Sequence, residues 1–320
     1  MAAGDFLRKE AVTPLCEHYL MAGVPGAIST NSETILAAAC DCFCRIASPP
    51  PEPKLRLRFW VDPKGSSQPP WPKPFIRGLD HLVFAGFDDQ NSILVDLHEC
   101  RAIGRFSPTM GNHLTSWETV IFPILVSIMG AAAGITELHC GCVAREGKGL
   151  LLVGGSGSGK STLALAMTQA GFSYLADDRT YLSFREGRIV AWGLPTLLKL
   201  RREAINWFPE LQDFTPAPPK NGESSVWMEP ARALGVPRIQ RCEPSALVFL
   251  QRHGQAALDL STMPSDEATV HLESDLMVEN PAAAEGQRAM IARLVKLPCW
   301  RLVYGGSPQA TAEFLKSRLG

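Results

Sequence analysis

The hydrophobic and polar positions of residues 1–125 predict a small α+β domain. Residues 1–46 are expected to be helical, with residues 30–33 (Thr-Asn-Ser-Glu) capping a helix that runs through residues 35–39. Short alternating or wholly apolar runs predict strands at residues 55–61, 82–85 and 92–96. Proline-rich connectors separate these elements at residues 48–53 and 65–74.

The second part of the chain, residues 126–320, is predicted to be a separate domain that is rich in β-hairpins. Three times, two apolar runs flank a short turn that contains glycine. The paired runs are residues 138–144 with 149–153, 179–184 with 189–192, and 246–250 with 256–260. This pattern argues against an all-parallel sheet, because parallel strands need long helical crossovers. A helix, a strand and a helix are expected at residues 282–297, 300–304 and 308–319.

Two further stretches need an interpretation. The most apolar one, Val120 to Ile135, is sixteen residues long and contains Pro123. It is short for a membrane span, so we expect a buried helix and no membrane partner.

Residues 212–241 have no regular period, which predicts a long loop; such loops are typically functional or disordered. Its basic residues Lys220, Arg232, Arg238 and Arg241 either close over phosphates or a partner, or belong to a solvated loop.

Residues 154–162 fit the phosphate-binding loop motif G-x-x-x-x-G-K-[ST]. They are Gly154, Gly155, Ser156, Gly157, Ser158, Gly159, Lys160, Ser161 and Thr162. An apolar run at 149–153 precedes them and helix formers at 163–167 follow, which is the strand–loop–helix context that the motif requires. The glycines let backbone N–H groups converge on phosphate oxygens, and the positive end of the helix adds to the field. ATP and Mg²⁺ are therefore predicted, with Lys160 on the β- and γ-phosphates and the Ser161 hydroxyl on the metal. The alternative is a Gly/Ser-rich turn before an ordinary helix.

An acidic pair follows one element later. The helix is expected to end near residues 169–170, with Gly171 as its cap, and the apolar run 172–176 predicts a strand that delivers Asp177 and Asp178 at its end. Two acids in this place suit the metal-binding and base positions of phosphoryl transfer. A solvated turn is the alternative.

Composition narrows the function classes. The formal net charge is -1, so nucleic acid is not an expected partner. The chain has nine cysteines, an odd number, and Met1 to Asp5 lead into charge without an apolar signal region. Reduced thiols and a cytoplasmic location are therefore expected. The spacing of Cys40, Cys42 and Cys44 is not that of a zinc site.

Three features taken together resemble a known family: His139 before the first hairpin, the loop at 154–162, and residues 170–179 (Ala-Gly-Phe-Ser-Tyr-Leu-Ala-Asp-Asp-Arg). They are similar to the catalytic domain of HPr kinase/phosphorylase and its relatives, over about forty residues. That domain is similar in fold to phosphoenolpyruvate carboxykinase. The resemblance implies an α/β (α+β) fold, with a hairpin-rich mixed-sheet kinase domain behind a smaller N-terminal α+β domain.

The resemblance also implies a mechanism. ATP would lie on residues 154–162, Ser161 and one aspartate would hold Mg²⁺, and the other aspartate would accept a proton from a serine hydroxyl. We assign Asp177 as the base and Asp178 as metal-proximal. His139 is expected to orient the acceptor or its phosphate, or else to be a core histidine, and Arg179 to pair with phosphate or with a neighbouring acid.

The chain also departs from the family. The family's glycine-rich substrate loop, E-x-R-G-x-G, is matched only loosely by residues 229–235. The N-terminal half of the chain also differs from the N-terminal half that is usual in the family. In size and layout the chain resembles divergent relatives associated with modified-peptide pathways. The predicted function is a kinase that phosphorylates a serine in a peptide or small protein. Assembly of the chain into a homo-oligomer is compatible with this function. A kinase of a small hydroxyl metabolite and a non-catalytic nucleotide-binding module remain as alternatives.

Overall fold

The computed structural model describes residues 11–212, 217–220, 223–230, 234–254, 258–274, 276 and 281–320. The chain divides into two compact units, the first ending at Ala133 and the second spanning Gly134–Gly320. The position expected from sequence, between residues 125 and 126, lies within the helix Phe122–Ala133. That helix ends where Gly134 takes a φ of 85°, a conformation that glycine adopts without steric cost.

The first unit contains an eight-stranded mixed sheet. Its strands are β1 (Leu15–Met21), β2 (Val24–Thr30), β3 (Cys44–Arg45), β4 (Leu55–Val61), β5 (Phe75–Leu79), β6 (Leu82–Gly86), β7 (Ser92–Asp96) and β8 (Arg101–Phe106). They lie in the order β3-β1-β2-β4-β8-β7-β6-β5. The pairs β2–β4 and β4–β8 are parallel and the others are antiparallel. The strands predicted at 55–61, 82–85 and 92–96 are confirmed.

The prediction that residues 1–46 are helical is wrong for β1 and β2, which form a hairpin. Alternate residues of β2 are buried, including Val24, Ile28 and Thr30, so the period of two overrides helix propensity. Ala22 and Gly23 both have positive φ, as the tight turn between twisted antiparallel strands requires. Residues 1–10 lie outside the described part of the chain.

The helices of this unit are α1 (Glu33–Cys42), α2 (Pro108–Gly111), α3 (Leu114–Ser116), a π-helical turn (Trp117–Ile121) and α4 (Phe122–Ala133). The predictions of α1 and of a buried helix at α4 are confirmed, since Phe122, Leu125 and Met129 are buried. The helical stretch Leu114–Ala133 has the length and apolar composition of a membrane span. Because 56% of its apolar window is buried inside the protein, it equally fits a core helix.

The second unit is built on a nine-stranded mixed sheet and a small three-stranded sheet. The strands are β9 (Thr136–Leu138), β10 (Cys140–Arg145), β11 (Lys148–Val153), β12 (Ser173–Ala176), β13 (Thr180–Arg185), β14 (Arg188–Trp192), β15 (Leu198–Arg201), β16 (Ala217–Lys220), β17 (Glu223–Met228), β18 (Arg241–Arg252), β19 (Leu258–Thr262) and β20 (Cys299–Tyr304). The helices in the described ranges are α5 (Lys160–Gln169), α6 (Arg202–Ile205), a 3₁₀ turn (Pro209–Leu211), α7 (Ser265–Ser274), α8 (Pro281–Leu294) and α9 (Pro308–Leu319).

The large sheet is covered on both faces. Leu152 of β11 packs into a core with α5 and α9, whereas its neighbour Leu151 packs into a second core with α7 and α8. Successive residues of a strand point to opposite faces, so an unbroken apolar run such as that of β11 suits a strand that is buried on both sides. The hairpins β10–β11 and β13–β14 are confirmed, and so is the mixed sheet.

The hairpin predicted from residues 246–250 and 256–260 is wrong. β20 lies between the two strands, parallel to β18 and antiparallel to β19. The burial pattern explains the order, because Cys299 and Leu302 of β20 are buried while β19 is exposed along most of its length. An apolar strand gains more from the interior position, and a polar strand tolerates the edge.

The loop prediction for residues 212–241 is partly wrong. Within it, β16 and β17 join β15 in the three-stranded sheet, where Val226 and Met228 pack into the core beside α5. The alternation of Val226, Trp227 and Met228 is a strand signal that the surrounding prolines and glycines obscured. Arg232 of this segment, and part of the 229–235 echo, lie outside the described residues.

Candidate active site

The loop at 154–159 leaves the end of β11 and enters α5, which begins at Lys160. Gly157 and Gly159 have φ values of 84° and 93°, in the region that side-chain-bearing residues avoid. A Cβ atom at position 159 would also collide with the hydroxyl of Tyr304, which itself donates a hydrogen bond to the Ser158 carbonyl. The sharp turn therefore depends on glycine at two positions and on a tyrosine from the far end of the chain.

Lys160 lies at the first turn of α5 and is almost fully buried. Its Nζ atom donates to the carbonyl oxygens of Gly154 at 2.5 Å and of Gly155 at 3.3 Å. The ammonium group is thus held against the inside of the loop. Loop N–H groups and a lysine at a helix N-terminus form an environment that favours phosphate oxygens.

Asp177 follows β12 and only 3% of it is exposed. The Tyr174 hydroxyl donates to its Oδ1 atom at 2.8 Å, and the Ser161 hydroxyl also hydrogen-bonds the carboxyl group. Burial raises the pKa of Asp177, and the charge of Asp178 adds to this, while the two hydrogen bonds oppose it. The fold therefore brings Ser161 of the phosphate loop into contact with Asp177, which follows β12.

These two oxygen donors suit Mg²⁺. No group of three or more His, Cys, Asp or Glu side chains suited to a metal occurs in the described part of the chain. Mg²⁺ is commonly held by one or two carboxylates together with substrate phosphates and water, so Ser161 and Asp177 beside a phosphate loop match its needs.

Asp178 has different surroundings. His139, placed between β9 and β10, has its Nε2 atom 2.8 Å from Asp178 Oδ1. This hydrogen bond lowers the pKa of Asp178, in spite of a smaller opposing effect of burial. The Asp178 side chain is 59% exposed, so its carboxyl group is accessible from the cavity. Adjacent acids thus have pKa values that move in opposite directions.

Arg179 forms an ion pair with Glu137 at 3.3 Å between Nη1 and Oε1. Of the two roles predicted for Arg179, the structure shows a neighbouring acid as its partner, and Arg179 is not among the residues that line the cavity over the loop. Its side chain is about half exposed.

A cavity of about 630 Å³ lies over the phosphate loop. One side of its lining carries Lys160, Ser161, His139 and the acidic pair, with Gly155, Ser156, Gly157, Gly159 and Thr162. The lining also includes residues that the sequence motifs did not indicate, among them Lys199, Arg201, Trp207, Trp227, Arg252 and Tyr304. A signal existed for Lys199 and Arg201, because they alternate with the buried Leu198 and Leu200 and so share the polar face of β15.

Arg201 lies close to the loop. A Cβ atom placed on Gly157 would be 3.9 Å from both terminal nitrogens of the Arg201 guanidinium. The small sheet therefore holds a fixed positive charge opposite the glycine-rich turn. Guanidinium groups in such positions bind phosphate oxygens well, because their planar donors match the anion's geometry.

Comparison with known proteins gives a partial likeness. A stretch of 92 residues, 29% of this chain, is 33% identical to the HPr kinase/phosphorylase of Limosilactobacillus reuteri strain DSM 20016. The same figures hold for the HPr kinase/phosphorylase of L. reuteri subsp. reuteri strain JCM 1112. The matched stretch spans 28% of the length of these curated relatives. No family model matches the sequence.

Among solved structures, the Hpr(Ser) kinase/phosphatase from Coxiella burnetii aligns with a TM-score of 0.30 at 10% sequence identity. The alignment covers 57% of this chain and 95% of that one.

Proposed function

We propose that the chain is an ATP- and Mg²⁺-dependent kinase that transfers the γ-phosphate to a serine hydroxyl of a peptide or small protein. One observation carries the proposal. A single cavity contains the phosphate loop with Lys160, the Ser161–Asp177 contact that suits Mg²⁺, and an exposed carboxylate at Asp178. A nucleotide-binding module without transfer activity has no need of that second acid. The partial identity to HPr kinase/phosphorylase supports the same class of chemistry.

The residues divide the work between binding and proton transfer. Lys160 and the loop N–H groups bind and orient the phosphates, and Arg201 adds a positive charge near Gly157. ATP would supply the phosphoryl group, and Mg²⁺ would neutralise part of the negative charge on its phosphates. Ser161 and Asp177 would hold the metal.

For the two acids we propose the order opposite to the one expected from sequence, with Asp178 as the base and Asp177 as the metal-proximal acid. A general base must be ionised and must reach the acceptor hydroxyl. Asp178 meets both conditions, because the hydrogen bond from His139 favours its carboxylate form and its side chain is exposed to the cavity; its lowered pKa makes it a weak base, so its position is what fits it for the role. Asp177 is buried and already accepts hydrogen bonds from Tyr174 and Ser161.

His139 is proposed as a positioning residue. Its Nε2 atom donates to Asp178 Oδ1, which leaves the other carboxylate oxygen available for an acceptor hydroxyl. The same hydrogen bond favours the ionised form of Asp178.

We also propose a cytoplasmic location. All nine cysteines are free thiols, which supports it.

The test is to incubate the full chain with ATP, Mg²⁺ and a panel of serine-containing peptides, small carrier proteins and hydroxyl metabolites, and to read the products by mass. One added phosphate on a peptide or protein serine is the expected result. Phosphate on a metabolite would replace the proposed acceptor by a small molecule. ATP binding without transfer to any acceptor on the panel would favour the non-catalytic module, and absence of ATP binding would refute the site.

A further inference from the structure

Two tryptophans in the cavity stand apart from the other five. Trp207 and Trp227 are 39% and 49% exposed, whereas the remaining tryptophans of the chain are buried or half-buried. Both exposed rings line the cavity over the phosphate loop. Tryptophan has a large apolar ring that is usually covered in a folded protein, so an exposed ring in a phosphate-binding cavity indicates a surface kept open for a ligand.

The backbone of Trp207 is fixed in place. Arg201, which faces Gly157, is followed at once by the single turn of α6, and the Trp207 N–H closes that turn by donating to the Ala204 carbonyl at 3.1 Å. The Gln309 side chain then donates to the Trp207 carbonyl at 2.6 Å, which ties it to the first turn of α9 beside Pro308. The backbone of Trp207 thus follows Arg201 by about one helical turn and is hydrogen-bonded at both its N–H and its carbonyl.

Trp227 is engaged differently. It pairs across the sheet with Lys199, and the Lys199 Nζ atom lies 5.7 Å from the centre of its ring. Its Nε1–H group donates to the Ser225 hydroxyl at 3.0 Å. One face of this ring therefore already carries a cation–π contact, which leaves less π-surface for a second partner.

We propose that Trp207 is the nucleobase subsite of this cavity, and that it stacks a purine base against its indole ring with Ala204 and Pro308 at the edges. This inference rests on the proposed ATP function and adds to it the residue that holds the donor's base. Stacking on an aromatic ring favours purines over pyrimidines, because a bicyclic base overlaps more of the indole. The phosphates then extend from Trp207 towards Arg201 and the loop, in the order in which the chain presents these residues.

The experiment measures binding by titration calorimetry with Mg²⁺ and three ligands: ATP, CTP and inorganic tripolyphosphate. Tripolyphosphate reports on the phosphate loop alone, since it has no base. We expect wild-type protein to bind ATP more tightly than CTP or tripolyphosphate. Trp207→Ala should weaken ATP binding about tenfold or more and leave tripolyphosphate binding unchanged. Trp207→Phe should retain most of the ATP affinity, because it keeps an aromatic face.

Trp227→Ala is the matched control, since it removes the other exposed tryptophan of the same cavity. It should weaken ATP binding much less than Trp207→Ala does. A loss of ATP affinity in Trp227→Ala but not in Trp207→Ala would overturn the assignment. So would equal losses for ATP and tripolyphosphate in Trp207→Ala, which would mean a disturbed loop. If wild-type protein binds tripolyphosphate as tightly as ATP, the base subsite is refuted while the phosphate site stands. If it binds neither, the proposed function itself fails.

Discussion

His139 Nε2 lies 2.8 Å from Asp178 Oδ1, a contact between residues 39 positions apart in the chain. The neighbouring Asp177 turns instead towards Tyr174 and Ser161. Because the carboxyl groups have different surroundings, the pKa of Asp177 is raised and that of Asp178 is lowered. Two adjacent acids with divergent pKa values are suited to different tasks in one reaction.

The first prediction concerns these tasks. Asp178→Asn should slow phosphoryl transfer by about 10²–10⁴-fold and spare ATP binding, since it removes only the proton acceptor. Asp177→Asn should instead raise the Mg²⁺ concentration needed for half-maximal rate. Steady-state rates at varied Mg²⁺, together with ATP titrations, distinguish the two. If Asp177→Asn slows transfer at saturating Mg²⁺ while Asp178→Asn does not, the base is Asp177.

A second prediction concerns Lys160. Lys160→Ala should weaken ATP binding and abolish transfer, because the buried ammonium is the charge held inside the loop. Lys148→Ala is the matched control. Lys148 is an exposed residue whose ion pair with Glu243 lies on the surface, so its loss should change neither quantity. Wild-type-like ATP affinity in Lys160→Ala would refute the phosphate site.

A third prediction follows from the raised pKa of Asp177. A carboxyl group with a raised folded-state pKa contributes stability below its unfolded value of 3.8, and this contribution is lost as pH rises through the folded-state pKa. Asp177→Asn abolishes this titration. We therefore expect its thermal midpoint to rise relative to wild type as the pH increases above 3.8.

Asp178→Asn should show the opposite trend, because a lowered pKa contributes stability above 3.8 that is lost as pH falls through the folded-state pKa. Midpoints of the three proteins at pH values above and below 3.8 test both signs, because the Asp177 contribution changes above that value and the Asp178 contribution changes below it. If the thermal midpoints of Asp177→Asn and wild type depend on pH in the same way, burial does not raise the pKa of Asp177.

A fourth prediction compares two glycines with positive φ. Gly171→Ala places its Cβ in open space, so it should lose only about 1 kcal/mol of unfolding free energy from backbone strain. Gly159→Ala carries the same strain and also collides with the Tyr304 hydroxyl, so it should lose more. Denaturant unfolding measures both. Adding Tyr304→Phe to each variant should recover part of the loss only at position 159.

The part of the site that the sequence predicted is the contiguous part. The loop, the helix at α5 and the strand at β12 are specified by neighbouring residues, so their geometry follows from local chemistry. The mixed sheet was also predictable, because the β10–β11 and β13–β14 hairpins need only a short turn.

What the sequence did not indicate depends on distant partners. Arg201 and Trp207 line the cavity over the loop, and their place depends on the separate sheet that β15 and β17 build. The strand signal of β17 was hidden among prolines and glycines. The place of β20 depends on competition between strands for an interior position, which no local pattern records. β1 and β2 form a hairpin where a helix was expected, because alternate residues of β2 are buried and this burial outweighs helix propensity.

The position of β20 also has a consequence for the order of synthesis. The phosphate loop leaves the ribosome early, but the Tyr304 hydroxyl that holds the Ser158 carbonyl follows 146 residues later. Until β20 is made, β19 also lacks the strand with which it pairs in the finished sheet. A nascent chain therefore carries a complete phosphate-loop sequence well before it can hold the loop's shape. Chains that stop before Cys299 should fail to bind nucleotide although every residue of the motif is present.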